Sequence, residues 1–509
     1  MPLPDKLFSA LPRFALFFCI LILTQAAFGQ GASKINLIKA DQLKYNKDLG
    51  KDLRRVIGNV AFEHDGAYLY CDSAYFHEDA NNVEAFGTIH IKVSDTLNIY
   101  GDQLQYDGET KIGDLTGKVK LVDNQTILLT DHLIWNRIEG YSYYNTGGKI
   151  TNKDNKLTSQ IGYYYTDRKE FFFKKNVILV NPKYTMKSDT LLYNTVSRTS
   201  FFKGPTTIKG ESNYIYCENG WYNTITDVSQ FNKNGYMISG ERKLWGDSLY
   251  YNRQLGLGKA FGNVSILDTV QDVVVKGNKG IYQELKGYVR MTDSAEGILV
   301  DKSGSFFLHA DTLYATFDTA RQFKVLYAYN HTKFFRTDLQ GLCDSLVYNF
   351  GDSTILLHGS PVIWSEVNQL TADSIRMWMT NKAVDSMMLY NTSFIVSVSD
   401  TGQYDQIKGK NMIGHFIENE LRSVKVLSNA ETIYFAKEDD GHSIGVNFAK
   451  SSEMLIRMKD KKVYRIKYVS EPDAYLNPLK ETKAEELKLK GFQWLESRRP
   501  RYSGGIYKW

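Results

Sequence analysis

The sequence predicts an all-β fold: an elongated, solenoid-like stack of short strands built from about fourteen copies of a roughly 30-residue unit, ending in a short C-terminal helix. The first observation is a phased motif of a small residue, a polar residue and, two positions on, an apolar one. Ala40-Asp41-Gln42-Leu43-Lys44-Tyr45 recurs as Gly101-Asp102-Gln103-Leu104-Gln105-Tyr106 and as Gly246-Asp247-Ser248-Leu249-Tyr250-Tyr251. The polar position falls at 41, 72, 102, 131, 160, 189, 218 and 247, steps of 29 to 31. The second observation is alternation inside the unit, as in Leu43/Tyr45, Leu104/Tyr106 and Leu191/Tyr193, the period of strands with one face buried. The third is the scarcity of proline. Only Pro182, Pro205 and Pro361 lie between Pro12 and Pro472, which suits a long hydrogen-bonded ladder.

The N-terminus has the shape of a secretory signal peptide over residues 1–29. Lys6 and Arg13 precede the apolar run Phe14 to Leu23, and Ala27-Phe28-Gly29 follows. The run is shorter than the roughly 20 residues that span a bilayer, so export with removal is expected, without a transmembrane segment afterwards. Clear repeats occupy 30–270. A second landmark, Gly58-Asn59-Val60, Gly87-Thr88-Ile89, Gly117-Lys118-Val119 and Gly262-Asn263-Val264, keeps the same period. From 271 to 470 the repeats continue with longer, irregular steps. Stacked carboxylates repel, so each motif Asp is expected at a strand entry, accepting a backbone N–H in an Asx-type turn. The landmark Gly would supply a turn or bulge. In the tail, 471–509, Leu479 to Glu496 carries an amphipathic pattern that predicts a short helix covering the last rung. Arg498, Arg499 and Arg501 could alternatively meet an anionic partner.

Most chemistry is disfavoured. The net charge of +5 is spread over 509 residues, so a nucleic-acid partner is not expected. The nine His are scattered singly, without His-x-x-x-His or Cys-x-x-Cys spacing, and neither a metal nor another cofactor is implied. Trp245-Gly246-Asp247-Ser248-Leu249 spells an esterase nucleophile block, yet Cys343-Asp344-Ser345-Leu346 fills the same repeat slots; Ser248 is one filling of a common position and no catalytic residue is assigned. Cys71, Cys217 and Cys343 occupy the small-residue slot four or five units apart. Four rungs alone separate equivalent positions by roughly 19 Å, against about 7 Å for a disulfide, so free thiols are expected. The chain is expected to bind and carry rather than to be an enzyme.

Ala-Asp-x-Leu-x-Tyr alternating with Gly-x-Val behind a signal peptide resembles the OstA-like family, which includes the periplasmic lipopolysaccharide-transport bridge. The resemblance runs from about Ile35 to Tyr468, and Gly491-Phe492-Gln493-Trp494 with Arg499-Pro500 resembles the tails of long members. It implies a β-jellyroll whose two sheets hold acyl chains of lipopolysaccharide or a related glycolipid in the periplasm. It also implies contacts with other bridge proteins through edge strands. Leu43, Tyr45, Leu104, Tyr106, Leu191, Tyr193, Leu249 and Tyr251 would line that groove, or simply fill a core. The competing expectations are a right-handed β-helix enzyme acting on polysaccharide and a structural or adhesive surface rod.

Overall fold

In a computed structural model, residues 33–45, 53–301, 304–320, 322–381, 383–418, 420–438, 442–459 and 462–509 are described. The expected leader, 1–29, lies outside the described residues. The chain forms two compact units, divided between Lys153 and Asp154.

The first unit is a run of antiparallel hairpins: Leu53–His64, Ala67–His77, Asn82–Lys92, Leu97–Asp107, Ile112–Asp123 and Thr126–Asn136, with short strands at both ends. Tight turns join them. At Asp65-Gly66 both residues have positive φ, 48° and 76°, the geometry that two-residue hairpins favour. Each repeat is therefore two strands of 11 or 12 residues plus two turns, which accounts for the period near 30.

Every long strand is broken once near its middle. Ile57 pairs with Ser73 and Val60 with Cys71, so Gly58 and Asn59 stand opposite Asp72 alone. Both have positive φ, 80° and 46°. Opposite the bulge the partner strand changes in/out parity, from Leu69 and Cys71 to Ala74 and Phe76, whereas the bulged strand keeps it, from Val56 to Val60 and Phe62, so both halves of each strand bury residues in one interior. The landmark glycines are these corners. The motif carboxylate sits beside the corner of the next strand, and Asp72 and Asp247 lie mid-strand where a strand entry was expected, while Asp41 does precede the strand Gln42–Tyr45: Asn59 Nδ2 donates to Asp41 Oδ2 at 2.8 Å, the Thr88 N–H to Asp72 Oδ2 at 2.9 Å, and Asn263 Nδ2 to Asp247 Oδ2 at 2.9 Å. The cause is room. A Cβ on Gly58, Gly87, Gly117 or Gly262 would strike the Asp of the preceding strand.

In the second unit the same bent strands continue from Glu170–Asn181 to Leu339–Asn349. Beyond Asn349 each strand divides into two shorter ones, such as Thr354–His358 and Val362–Ser365, and the ladder runs on to Asp473–Asn477. All pairings among the described residues are antiparallel, which removes the right-handed β-helix alternative, whose strands stack in parallel. Cys71, Cys217 and Cys343 are free and buried, and burial pushes the Cys71 and Cys217 thiols up to about 12.

The tail departs from expectation. In place of an amphipathic helix over Leu479 to Glu496 there are three 3₁₀ turns, Leu479–Glu481, Glu496–Arg498 and Ser503–Tyr507. Nor does it merely cap the last rung. It runs back across the outer face of the second unit, because that face offers it hydrogen bonds and apolar surface that an isolated helix lacks. Gln406 donates to the Leu487 carbonyl at 2.8 Å and accepts the Leu489 N–H at 2.9 Å. Gln369 does the same with Gln493 and Leu495 at 2.8 and 2.7 Å. Gln369 and Gln406 share a cross-strand row with Trp364 and Ile433, the face opposite the interior residues Ile363, Leu370 and Ile407. Leu495 packs on Leu342, Val362 and Trp364, while Leu479, Leu487 and Leu489 pack on Ile433, Phe435 and Val446.

Candidate functional site

The interior of each unit is lined by two facing rows, one from each half of the bent strands. In the first unit both are closed. Leu69, Ile91, Ile99, Leu121 and Leu128 form one row, with at most 8% of any residue exposed. Phe76, Val83, Tyr106 and Trp135 lie in the other and are likewise buried. Polar bonds join the hairpin ends over this interior. The Arg137 guanidinium donates to the His64 and Asp65 carbonyls at 2.9 and 3.0 Å, and Lys111 pairs with Asp65 at 2.6 Å. His64 Nδ1 bonds the Tyr106 hydroxyl at 2.7 Å. A void lined by Phe62, Leu104, Tyr106 and Trp135 measures ≈ 20 Å³, room for about one water.

In the second unit the same register positions are open. Ile208, Ile215, Met237, Leu244, Ile266 and Val275 pair in succession across six strands and are all half-buried. At about 4.8 Å per strand this row is ~24 Å long. Facing it is a row that alternates tyrosine with a small residue: Tyr193, Ser200, Tyr222, Ser229, Tyr251, Gly258 and Tyr282. The four tyrosines are half-buried as well. Between the rows lies a narrow floor of small and aliphatic residues, among them Gly235, Gly246, Leu249, Ala260 and Val264, all buried.

Two phenols on this lane are anchored at its rim. The Tyr222 hydroxyl donates to Asp227 at 2.7 Å and that of Tyr251 to Glu284 at 3.2 Å. Burial, then the bonded carboxylate, pushes Tyr222 up to about 12; the same causes raise Tyr251. Their rings present carbon to the lane while the oxygens stay paired, and neither phenol is poised for proton transfer at neutral pH. Ser248 accepts a bond from Gln230 Nε2 at 3.1 Å, which is side-chain scaffolding. Among the described residues no cluster of three His, Cys, Asp or Glu could hold a metal.

The residues singled out from the sequence divide three ways. Leu43 and Tyr45 are 57% and 55% exposed on the short strand Gln42–Tyr45. Leu104, Leu191 and Leu249 form interior floor, and Tyr106 is sealed beside Trp135 at a ring separation of 6.2 Å. Tyr193 and Tyr251 stand on the open lane. The aliphatic row was missed. Its signal was present in the apolar residue two places before each small-residue slot, Ile215, Leu244 and Val275, once both halves of the strand are known to face inward.

Residues 32–189 match the model of the OstA-like protein family. Over those residues the chain is similar to OstA-like proteins. A similar solved structure is LptH, described as the LptA-homologous periplasmic component of the conserved lipopolysaccharide transport device from Pseudomonas aeruginosa. That match has 10% identity and a TM-score of 0.23, and covers 28% of this chain and 99% of that chain. No curated protein matches. The open lane follows the OstA-like segment in sequence and carries its motif onward, with Asp247 and Gly262 in the same corner contact as Asp41 and Gly58. Among the described residues no helix is long and apolar enough to cross a membrane.

Proposed function

We propose that this chain is a periplasmic lipid-binding component of lipopolysaccharide transport, and that the lane between Ile208 and Val275 shields acyl chains of lipopolysaccharide or a related glycolipid. The observation that carries the proposal is the contrast at equal register. Positions closed by Ile99, Leu121 and Trp135 in the first unit are left half-exposed at Leu244, Ile266 and Tyr282 in the second. Uncovered apolar surface of that length is costly in water, whereas each acyl CH₂ buried there gains about 0.8 kcal/mol. A linear lane with alternating Tyr and small residues suits flexible, unbranched chains and offers no acid–base or nucleophilic pair for turnover. Exposed edge strands such as Gln42–Tyr45 would make the contacts with neighbouring bridge proteins, and the OstA-like match of residues 32–189 supports the same reading.

The test is site-specific photo-crosslinking in cells. A photo-reactive residue at Leu244 or Tyr251 should yield a lipopolysaccharide adduct, whereas the outward neighbour Trp245 and the sealed Leu115 should not. Adducts at Trp245 as strong as at Leu244, or none at either lane position, would sink the proposal and leave a structural rod.

A further inference from the structure

At one edge of the second unit the turns carry aliphatic side chains where a water-facing turn ordinarily carries Gly, Asn, Asp or Ser. Val196, Ile225, Leu255 and Leu285 stand on four successive turns, three or four residues after the lane tyrosines Tyr193, Tyr222, Tyr251 and Tyr282, and are 72%, 57%, 54% and 75% exposed. They form a row. Successive turns are two strands apart, about 10 Å, so the row spans ~30 Å. The backbone holds it in place. The Asn194 side-chain oxygen accepts the Val196 and Ser197 N–H groups at 3.0 and 2.8 Å, Asn223 accepts those of Ile225 and Thr226 at 2.9 Å each, and Asn252 that of Leu255 at 3.0 Å. Neighbouring turns are also bonded to one another: the Thr224 N–H donates to the Arg198 carbonyl at 3.1 Å, Arg253 to Asp227 at 3.1 Å and Glu284 to Gly256 at 2.8 Å.

The charge beside the tips is mainly positive. Arg168, Lys169, Arg198, Arg253 and Lys286 are exposed on these turns and the one before them, whereas Asp227 and Glu284 are half-buried and accept the Tyr222 and Tyr251 hydroxyls. At the opposite ends of the same strands the turns read Pro182-Lys183, Glu211-Ser212, Gly240-Glu241 and Val270-Gln271, where polar tips precede one exposed valine. In the first unit, with its closed interior, the turns that correspond to the aliphatic row read Glu78-Asp79-Ala80-Asn81 and Gly108-Glu109-Thr110-Lys111 before an exposed Ile138. The continuous aliphatic and basic row therefore accompanies the open lane rather than the repeat as such.

Separate aliphatic tips with cations between them fit a lipid surface. A protein partner would have to match four knobs about 10 Å apart, whereas a fluid headgroup layer admits each tip by itself while the cations meet phosphate oxygens. We propose that this edge of the second unit docks on an anionic lipid bilayer, with Val196, Ile225, Leu255 and Leu285 entering the interface and Arg168, Lys169, Arg198, Arg253 and Lys286 pairing with lipid phosphates. The tyrosine rim of the lane then lies next to the bilayer. The inference goes beyond the transport proposal and does not depend on it, since a rod without lipid cargo could dock in the same way.

Flotation of the full chain, purified after export, with vesicles of phosphatidylcholine alone or mixed with phosphatidylglycerol tests it. The chain should bind the anionic vesicles at least about tenfold more tightly than the neutral ones and should be released as salt rises from about 0.1 to 0.5 M. Ile225→Ser, Leu255→Ser and Leu285→Ser combined should weaken that binding by about tenfold or more with an unchanged thermal midpoint, because the three side chains are exposed. Val270→Ser, on the opposite edge, should bind like the parent. Arg198→Gln with Arg253→Gln should weaken binding to the anionic vesicles and flatten its salt dependence. The native cysteines Cys71, Cys217 and Cys343 are buried, so a fluorophore can be placed on Leu255→Cys or Glu211→Cys; brominated lipid should quench the first and not the second. No flotation with anionic vesicles, equal quenching at the two labels, or a loss in Val270→Ser as large as in the triple variant overturns the proposal. So does a lipid-free dimer in sedimentation that the triple variant abolishes, which would assign the edge to a second copy of the chain. Flotation reads the edge and crosslinking at Leu244 reads the lane, so each reading can fail without the other.

Discussion

Gly262 turns its strand from one half of the jellyroll to the other at φ 68°, with Asp247 where a Cβ would be. Any L side chain there meets two costs, the left-handed backbone and displacement of the carboxylate that holds Asn263. Gly262→Ala should therefore lower unfolding stability by about 1–3 kcal/mol in urea titrations, whereas an exposed turn glycine with open space, Gly240, should lose no more than about half of that on the same change. Asp405 gives a pH signature. It is half-buried, accepts the Phe435 N–H at 2.8 Å, and desolvation, opposed by that bond and by Lys437, raises its pKa from 3.8 to about 6. An acid raised in the folded state binds its proton more tightly there than in the unfolded chain. Its contribution is then fully favourable below about pH 4 and declines as pH rises toward 6. Asp405→Asn, which keeps an acceptor for Phe435, should stabilise the chain by on the order of 2 kcal/mol at pH 7.5 and by almost nothing at pH 4. A less stable variant at pH 7.5 would contradict this.

At the scale of the element, the tail is the segment least determined by its own pattern. Its leucines and charges read as an amphipathic helix, yet Pro478 and Gly491 bound a stretch too short to be stable alone, and the outer face presents a better partner. Gln369 and Gln406, each 1% exposed, replace a strand ladder with paired amide bonds to the tail backbone. Removing either takes two hydrogen bonds from partly buried backbone groups of the tail, at about 0.5–1.5 kcal/mol each. Gln369→Leu and Gln406→Leu should accelerate amide exchange across residues 487–495 by at least tenfold, with little change in the interior row Ile363, Leu370 and Ile407. Unchanged exchange would mean that apolar contacts alone seat the tail.

Over the whole molecule, one repeat is used for two purposes. The first unit spends its interior positions on large side chains that close it, whereas the second, between Ile208 and Val275, leaves the same positions half-covered. Truncations should register the difference. Leu115→Ala, at a fully buried site in the first unit, should cost about 2–5 kcal/mol. Leu244→Ala, at a half-covered site, should cost under about 2 kcal/mol and should reduce lipid crosslinking at Tyr251. Equal costs at the two positions would show that the lane is ordinary core.

The repeat, the all-β class and the corner glycines were legible in the sequence, because each is a local pattern: period-two alternation, a turn dipeptide, a fixed spacing. Which rows are sealed was not, since Tyr106 and Tyr251 occupy the same motif slot and differ only in what faces them across the interior. The aliphatic row escaped because parity changes opposite the mid-strand bulge, so alternation counted along one half misassigns the other. Sequence by itself determined a β ladder in repeats of about 30 residues, with a recurring polar motif position and a recurring glycine turn or bulge. Only the tertiary structure decided where that ladder stands open and where the tail lies, because these depend on residues far apart in the chain whose contacts leave no periodic trace.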